Sequence, residues 1–180
     1  MAGVVTTGTC ISSVLAMATQ RFYSYAIGLG EKEKLTRIFS ASVNLVIVFS
    51  IITILVLELV GNWFVSTQMT IPADRLSAAS WVFQFSIFSF IFTLLQIPYI
   101  GAIFSNEDMG VYALVSSVDC FIKLMIAALI CMFGFDHLIL YSGAMMIESG
   151  LVMVVYMLIA SRKYIECRYT CLLYKSPSPR

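Results

Sequence analysis

Charge is what this chain of 180 residues has least of: 12% Asp, Glu, Lys and Arg, against 60% hydrophobic residues. Soluble domains carry about a quarter charged residues, so a water-surrounded globule is excluded. The composition and a mean hydropathy of +0.93 predict an all-α polytopic membrane protein. Metal-ligand and redox spacings are missing too. The five cysteines, Cys10, Cys120, Cys131, Cys167 and Cys171, are scattered; they read as small buried hydrophobes rather than ligands. No metal and no cofactor is expected. Met1 is followed by neither a basic n-region nor a small-residue cleavage site, so no signal peptide is expected. Nor is any patch basic enough for nucleic acid.

What is present is apolar sequence in spanning lengths. A membrane helix needs about 20 mostly apolar residues, and five segments meet that: about 4–27, 39–65, 76–104, 109–133 and 138–160. The first is diluted by Thr6, Thr7, Thr9, Ser12, Ser13 and Thr19. The second, centred on LVIVFSIITILVLELV, is the clearest. Links this short make neighbouring helices antiparallel.

The stretch Ala16–Arg37 sets the orientation. It turns on Gly28 and Gly30 and holds Arg21, Lys32, Lys34 and Arg37, four of the eleven basic residues. Short translocated loops are depleted of Lys and Arg, so this loop is expected on the cytoplasmic side. With it inside, seven basic residues lie inside (those four, Arg162, Lys163 and Arg168), one lies outside (Arg75), and Lys123 lies within the membrane. The link with Asn106, Glu107 and Asp108 is the exception, acidic although inside. Trp63, Trp81 and Tyr99 read as interfacial anchors. Glu58 reads as a snorkelling side chain, and His137 as a solvated loop histidine.

The candidate functional residues are the polar ones inside the apolar spans. A charge at mid-bilayer costs about 2.5–3.5 kcal/mol on insertion scales. Asp119 and Lys123 together therefore cost the fourth segment about 5–7 kcal/mol, against about 3–6 kcal/mol from its apolar residues. They are spaced i,i+4 and partner each other first. Counting outward from the short link places Lys123 and Glu148 both about 15 Å from the same membrane face. A mid-depth cluster of Asp119, Lys123 and Glu148 is expected. Polar stripes extend it: Tyr112 and Ser116 on the fourth segment, Ser86, Ser89, Thr93 and Gln96 on the third, and Tyr141 and Tyr156 flanking Glu148 on the fifth. Such stripes mark either a hydrated cavity or close helix packing. Pro98 and Gly101 could hinge the third segment or form an inert kink.

The run ATQRFYSYAIGLGEKEKLTRIFSASVN (Ala18–Asn44) resembles the polysaccharide-biosynthesis, or O-antigen flippase, branch of the multidrug/oligosaccharidyl-lipid/polysaccharide exporter superfamily. Trp81–Pro98 (WVFQFSIFSFIFTLLQIP), NEDMG at Asn106–Gly110 and RKYIECRY at Arg162–Tyr169 fit the same family in order and spacing. The resemblance implies a MATE-like fold, two six-helix bundles about a central cavity working by alternating access. The five segments would be helices two to six of the first bundle, within residues 1–169. The implied substrate is an undecaprenyl-pyrophosphate-linked oligosaccharide flipped across the bacterial inner membrane for lipopolysaccharide or other polysaccharide synthesis. The implied partners are that lipid, membrane lipid and a missing C-terminal half of the chain. Lys123, with Arg21 at the cytoplasmic mouth and Gln96 in the cavity, would bind substrate. Asp119 and Glu148 would couple transport to an ion or form an ion pair.

Other functions weigh less. A drug/cation antiporter of the same superfamily would use Asp119 and Glu148, with Lys123 arguing against it. An intramembrane transferase needs clustered acids or histidines or a catalytic loop; the loops are short and His137 is the only histidine. The chain is therefore not read as an enzyme. A non-transporting scaffold has no use for mid-depth charges. Residues 170–180 turn abruptly Pro/Ser-rich and resemble a translated sequencing adapter. They are expected to be a non-native read-through tail, with the native protein continuing beyond.

Overall fold

A computed structural model describes residues 2–28, 32–67, 73–132, 137–164 and 167. Five α-helices make up the described chain: α1 (Ala2–Gly28), α2 (Lys32–Thr67), α3 (Ala73–Ser105), α4 (Met109–Met132) and α5 (His137–Lys163). Each expected segment is a helix; four are extended at both ends, whereas α4 ends at Met132, with Phe133 outside the described residues. Lys32 opens α2 and His137 opens α5, so both belong to helices rather than to the links before them. The remaining residues of those links, Arg168 and the 170–180 tail lie outside the described residues. So do the side chains of Lys32, Lys34, Trp63, Arg75 and His137.

Leu35–Leu59, Ala78–Ser105, Met109–Ile130 and Ile139–Lys163 are each long and apolar enough to cross a membrane. The chain is an all-helical, multi-pass membrane protein. Isoleucine, leucine and valine of α2 such as Leu45, Val48, Ile52, Leu55 and Leu59 stay exposed on the bundle's outside. In hydrocarbon there is no penalty for that, because lipid tails are as apolar as the side chains themselves.

The bundle is held where small residues let helices approach. The most extensive pairing is α3 with α5. These helices run parallel, and their register is visible in two contacts: Phe85 lies over Gly143 and Phe92 over Gly150. The glycines follow serines in a Ser-Gly pair repeated seven residues apart, at Ser142–Gly143 and Ser149–Gly150. The same logic seats α1 on α3. A Cβ added at Gly101 would lie 3.2 Å from Thr19 Cγ2 and 3.7 Å from Tyr23 Cδ2. Gly101 therefore serves close approach of two helices. Pro98 is fully buried within an uninterrupted α3.

The larger core cluster gathers at one end of the bundle. Tyr23, Leu35, Phe39, Ile103, Tyr156 and Tyr164 contribute to it from α1, α2, α3, α5 and the residue after α5. Tyr99 packs edge-on against Phe39, with ring centroids 5.5 Å apart, so it is a packing residue more than a free interfacial anchor. Trp81 is exposed, as an anchor would be, and lies against Phe85.

At this end α3 gives way to α4 through a turn whose geometry is fully specified. Glu107 N–H donates to the Phe104 carbonyl and Asp108 N–H to the Ile103 carbonyl, while Glu107 takes φ 59°. That is a Schellman C-cap, with a non-glycine residue in the left-handed position usually held by glycine. Asp108 then stands at the N-cap of α4, its carbonyl accepting from Val111 N–H at 3.1 Å.

Candidate functional site

The middle of α4 faces α5 with charge. Asp119 lies ten residues into α4, about 15 Å from its start, and Lys123 follows one turn later. Lys123 Nζ is 2.8 Å from Asp119 Oδ2, a direct hydrogen-bonded ion pair. The same ammonium is 3.9 Å from Glu148 Oε2 on α5. The structure thus brings Asp119, Lys123 and Glu148 together at mid-depth. One cation serves two carboxylates.

Their exposures differ in a way that matters for access. Lys123 is 46% exposed and Asp119 23%, whereas Glu148 is 3% exposed. Neither carboxylate oxygen of Glu148 receives a hydrogen bond. A buried carboxylate without donors carries a desolvation penalty that a nearby cation or a bound proton offsets. Lys123 is the one cation near it among the described residues. One turn toward the start of α4, Ser116 Oγ and Tyr156 Oη lie 3.3 Å apart, and Tyr112 stacks on Tyr156. The polar stripe of α4 thus meets α5 along Tyr112, Ser116, Asp119 and Lys123.

The α3 stripe does something else. Gln96 Nε2 donates to the Ser149 carbonyl at 3.3 Å, in a buried position. Ser89 and Ser149 hydroxyls are 2.9 Å apart. Ser86 and Thr93 donate back to carbonyls of their own helix, at Val82 and Ser89. Ser89 and Gln96 are thus satisfied across the α3–α5 seam and Ser86 and Thr93 within α3, and Gln96 sits in that seam rather than beside Lys123. Arg21 is exposed on α1, seven residues before the helix ends, and is not among the side chains in contact at the mid-depth cluster.

Two polar contacts had not been expected. Glu58 is not a lone snorkelling acid: Gln84 Nε2 donates to its Oε2 at 3.1 Å across α2 and α3. At the end of the bundle Asp108 accepts from both Lys163, with Nζ 2.9 Å from Oδ2, and the Tyr164 hydroxyl. The Tyr164 hydrogen bond, with Lys163 beside it, holds the Asp108 carboxyl below the usual carboxylate range. Burial, with Asp108 next to it, pushes the Tyr164 hydroxyl up. Asp108, one of the two acids of the link between α3 and α4, is thereby paired with the basic end of α5. Lys163 and Tyr164 did not reveal this by their positions in the sequence; the signal was only that an acid-rich link and a basic segment were expected on one side.

Among the described residues no group of three or more His, Cys, Asp and Glu side chains could hold a metal. Cys167 is buried, as expected for a small hydrophobe, but Cys120 is exposed on α4. No family model, curated protein or solved structure matches the chain.

Proposed function

We propose that this chain belongs to a transporter that carries an undecaprenyl-pyrophosphate-linked oligosaccharide across the inner membrane by alternating access, with α1–α5 forming part of one bundle. The observation that carries the reading is Lys123, an ammonium held half-exposed at mid-depth in a membrane helix. A lysine with no function there would be replaced by leucine at a gain of about 2.5–3.5 kcal/mol in insertion. A pyrophosphate diester is the kind of anion such a group can hold. The resemblance of Ala18–Asn44 and the three later pieces supports the substrate class. Arg21 would meet the headgroup at the cytoplasmic mouth. Gln96 would support the cavity indirectly, through the α3–α5 seam.

The test is binding of undecaprenyl pyrophosphate to the full chain in lipid nanodiscs, by native mass spectrometry. Expected is binding that uncharged undecaprenol does not compete for, lost at least tenfold in Lys123→Ala. A second reading, a cation antiporter, is favoured by the two carboxylates facing one lysine. It predicts the reverse: an organic cation such as ethidium binds, and Glu148→Gln abolishes that binding while undecaprenyl pyrophosphate shows none.

A further inference from the structure

Three polar contacts join α4 to α5, and they are evenly spaced. At the end of the bundle Asp108, just before α4, accepts from Lys163 at 2.9 Å and from the Tyr164 hydroxyl. Next come Ser116 and Tyr156, their hydroxyls 3.3 Å apart. At mid-depth Lys123 Nζ stands 3.9 Å from Glu148 Oε2. From Asp108 to Ser116 to Lys123 the steps are eight and seven residues; from Tyr164 to Tyr156 to Glu148 they are eight and eight. Each step is about two turns, or about 10–12 Å of rise, on both helices. The contacts are level rungs of one antiparallel pair, and a slip or a rotation of α4 strains all three together.

Apolar packing does little to fix α4 by itself. Among its described residues only Val115 is buried, whereas α3 buries Ile87, Leu94, Ile97, Pro98, Ala102 and Ile103. Leu114, Val118, Phe121, Met125 and Leu129 of α4 are exposed. Lipid accommodates such side chains as well as a neighbouring helix does, so they favour no single rotation about the helix axis. The polar rungs must set it. The Asp108 rung has the firmest grip, with two donors on one carboxylate. The Asp108 carbonyl also accepts from Val111 N–H in the first turn of α4, so a shift of Asp108 carries the helix with it.

From this geometry we infer that Asp108, Lys163 and Tyr164 form a latch that positions Lys123. Closed, the latch holds α4 at the rotation and register that set the ammonium against Glu148. Open, α4 turns on α5, the Ser116–Tyr156 contact parts, and Lys123 keeps Asp119, its partner on the same helix. The change passes from the end of the bundle to mid-depth along fifteen residues, about 22 Å of rigid helix. Asp108 and Tyr164 are positioning residues: they act through Lys123 and need touch no ligand. The inference holds whatever ion or headgroup meets Lys123, so it does not depend on the transport reading.

The experiment treats the full chain in nanodiscs with dicyclohexylcarbodiimide, which enters the bilayer. The reagent condenses the Lys123 amine with a carboxyl group beside it to an amide, taking up the released water as a urea. Mass spectrometry of the digest separates the two products: an amide to Glu148 joins α4 to α5, and one to Asp119 stays within α4. Their ratio reads which way Lys123 stands, each molecule serving as its own control. Expected is a ratio that shifts at least fivefold toward Asp119 in Asp108→Ala, and in the same direction in Tyr164→Phe and in the milder surface change Lys163→Ala. Asp108→Asn, which keeps an acceptor for the Tyr164 hydroxyl, should hold most of the wild-type ratio. Glu58→Gln, on α2, should leave it unchanged. Helical content confirms that each variant is folded. An unchanged ratio in folded Asp108→Ala and Lys163→Ala overturns the latch. So does an equal shift in Glu58→Gln, which would report general loosening, or a wild type that yields no amide to Glu148.

Discussion

The protein has two ion clusters built from the same chemistry in opposite surroundings. At the end of the bundle Asp108 is shared by Lys163 and Tyr164, beside the aqueous phase. At mid-depth Lys123 is shared by Asp119 and Glu148, between helices. At the end, two donors satisfy one acid and nothing is left over. At mid-depth, two acids compete for one donor and Glu148 remains short of partners. The first arrangement is what ties a turn down. The second carries an imbalance where it is most costly, which a structural staple has no reason to retain.

The comparison breaks most visibly if each lysine is removed. Lys123→Ala leaves two carboxylates near each other at mid-depth and should lower stability by about 3 kcal/mol, the lower end for breaking a buried pair. Unfolding by SDS titration in mixed micelles measures it. Adding Glu148→Gln to Lys123→Ala should restore most of the loss, and failure to do so would rule out their pairing. Next in size, Tyr164→Phe should cost about 1 kcal/mol, the worth of one hydrogen bond, on the same titration.

Glu107→Gly should raise stability by about 0.5–1 kcal/mol, since the left-handed position costs a side chain about 1–2 kcal/mol, partly offset by the larger unfolded-state entropy of glycine. A fall instead would mean that the Glu107 side chain makes a contact outweighing its strain. Smallest is Lys163→Ala, whose exposed pair is screened. Its effect should vanish in 1 M salt, while that of Lys123→Ala should persist.

The two clusters also separate by pH. The Asp108 carboxyl is held below its usual range by Tyr164 and Lys163. A group depressed on folding binds fewer protons in the folded state, so its stabilisation is complete above the ordinary carboxylate range. It is lost as pH falls through the lowered value. Wild type should therefore lose more stability in acid than Asp108→Asn, in melts followed from pH 6 to pH 3. Equal losses would show that Asp108 is not depressed.

Much of the site was legible in one dimension. Asp119 and Lys123 lie i,i+4 on one helix, and that spacing alone makes them neighbours. Glu148 could be placed by counting from a short link, because antiparallel helices with a tight connection rise together. Gln96 could not be placed that way. Its stripe with Ser86, Ser89 and Thr93 fits a cavity wall and a packing seam equally, and only the partner helix distinguishes them. The repeated Ser-Gly pair at 142–143 and 149–150 was the available signal for that seam. Glu58 and Asp108 were invisible for a related reason: their partners Gln84 and Tyr164 lie 26 and 56 residues away.

Hydropathy and helical spacing, both local, determined by themselves that this is a helical multi-pass membrane protein with a charged pair inside α4; of the five spans expected, four are long and apolar enough to cross, and α1 is not among them. A helix satisfies its own backbone, so its existence and length in the membrane depend on its own residues. Which faces meet depends on rotation and register between helices, and those are set by where small residues permit close approach. Tertiary structure alone therefore decided that Gln96 belongs to the α3–α5 seam, that Gly101 seats α1, and that one lysine must serve both Asp119 and Glu148.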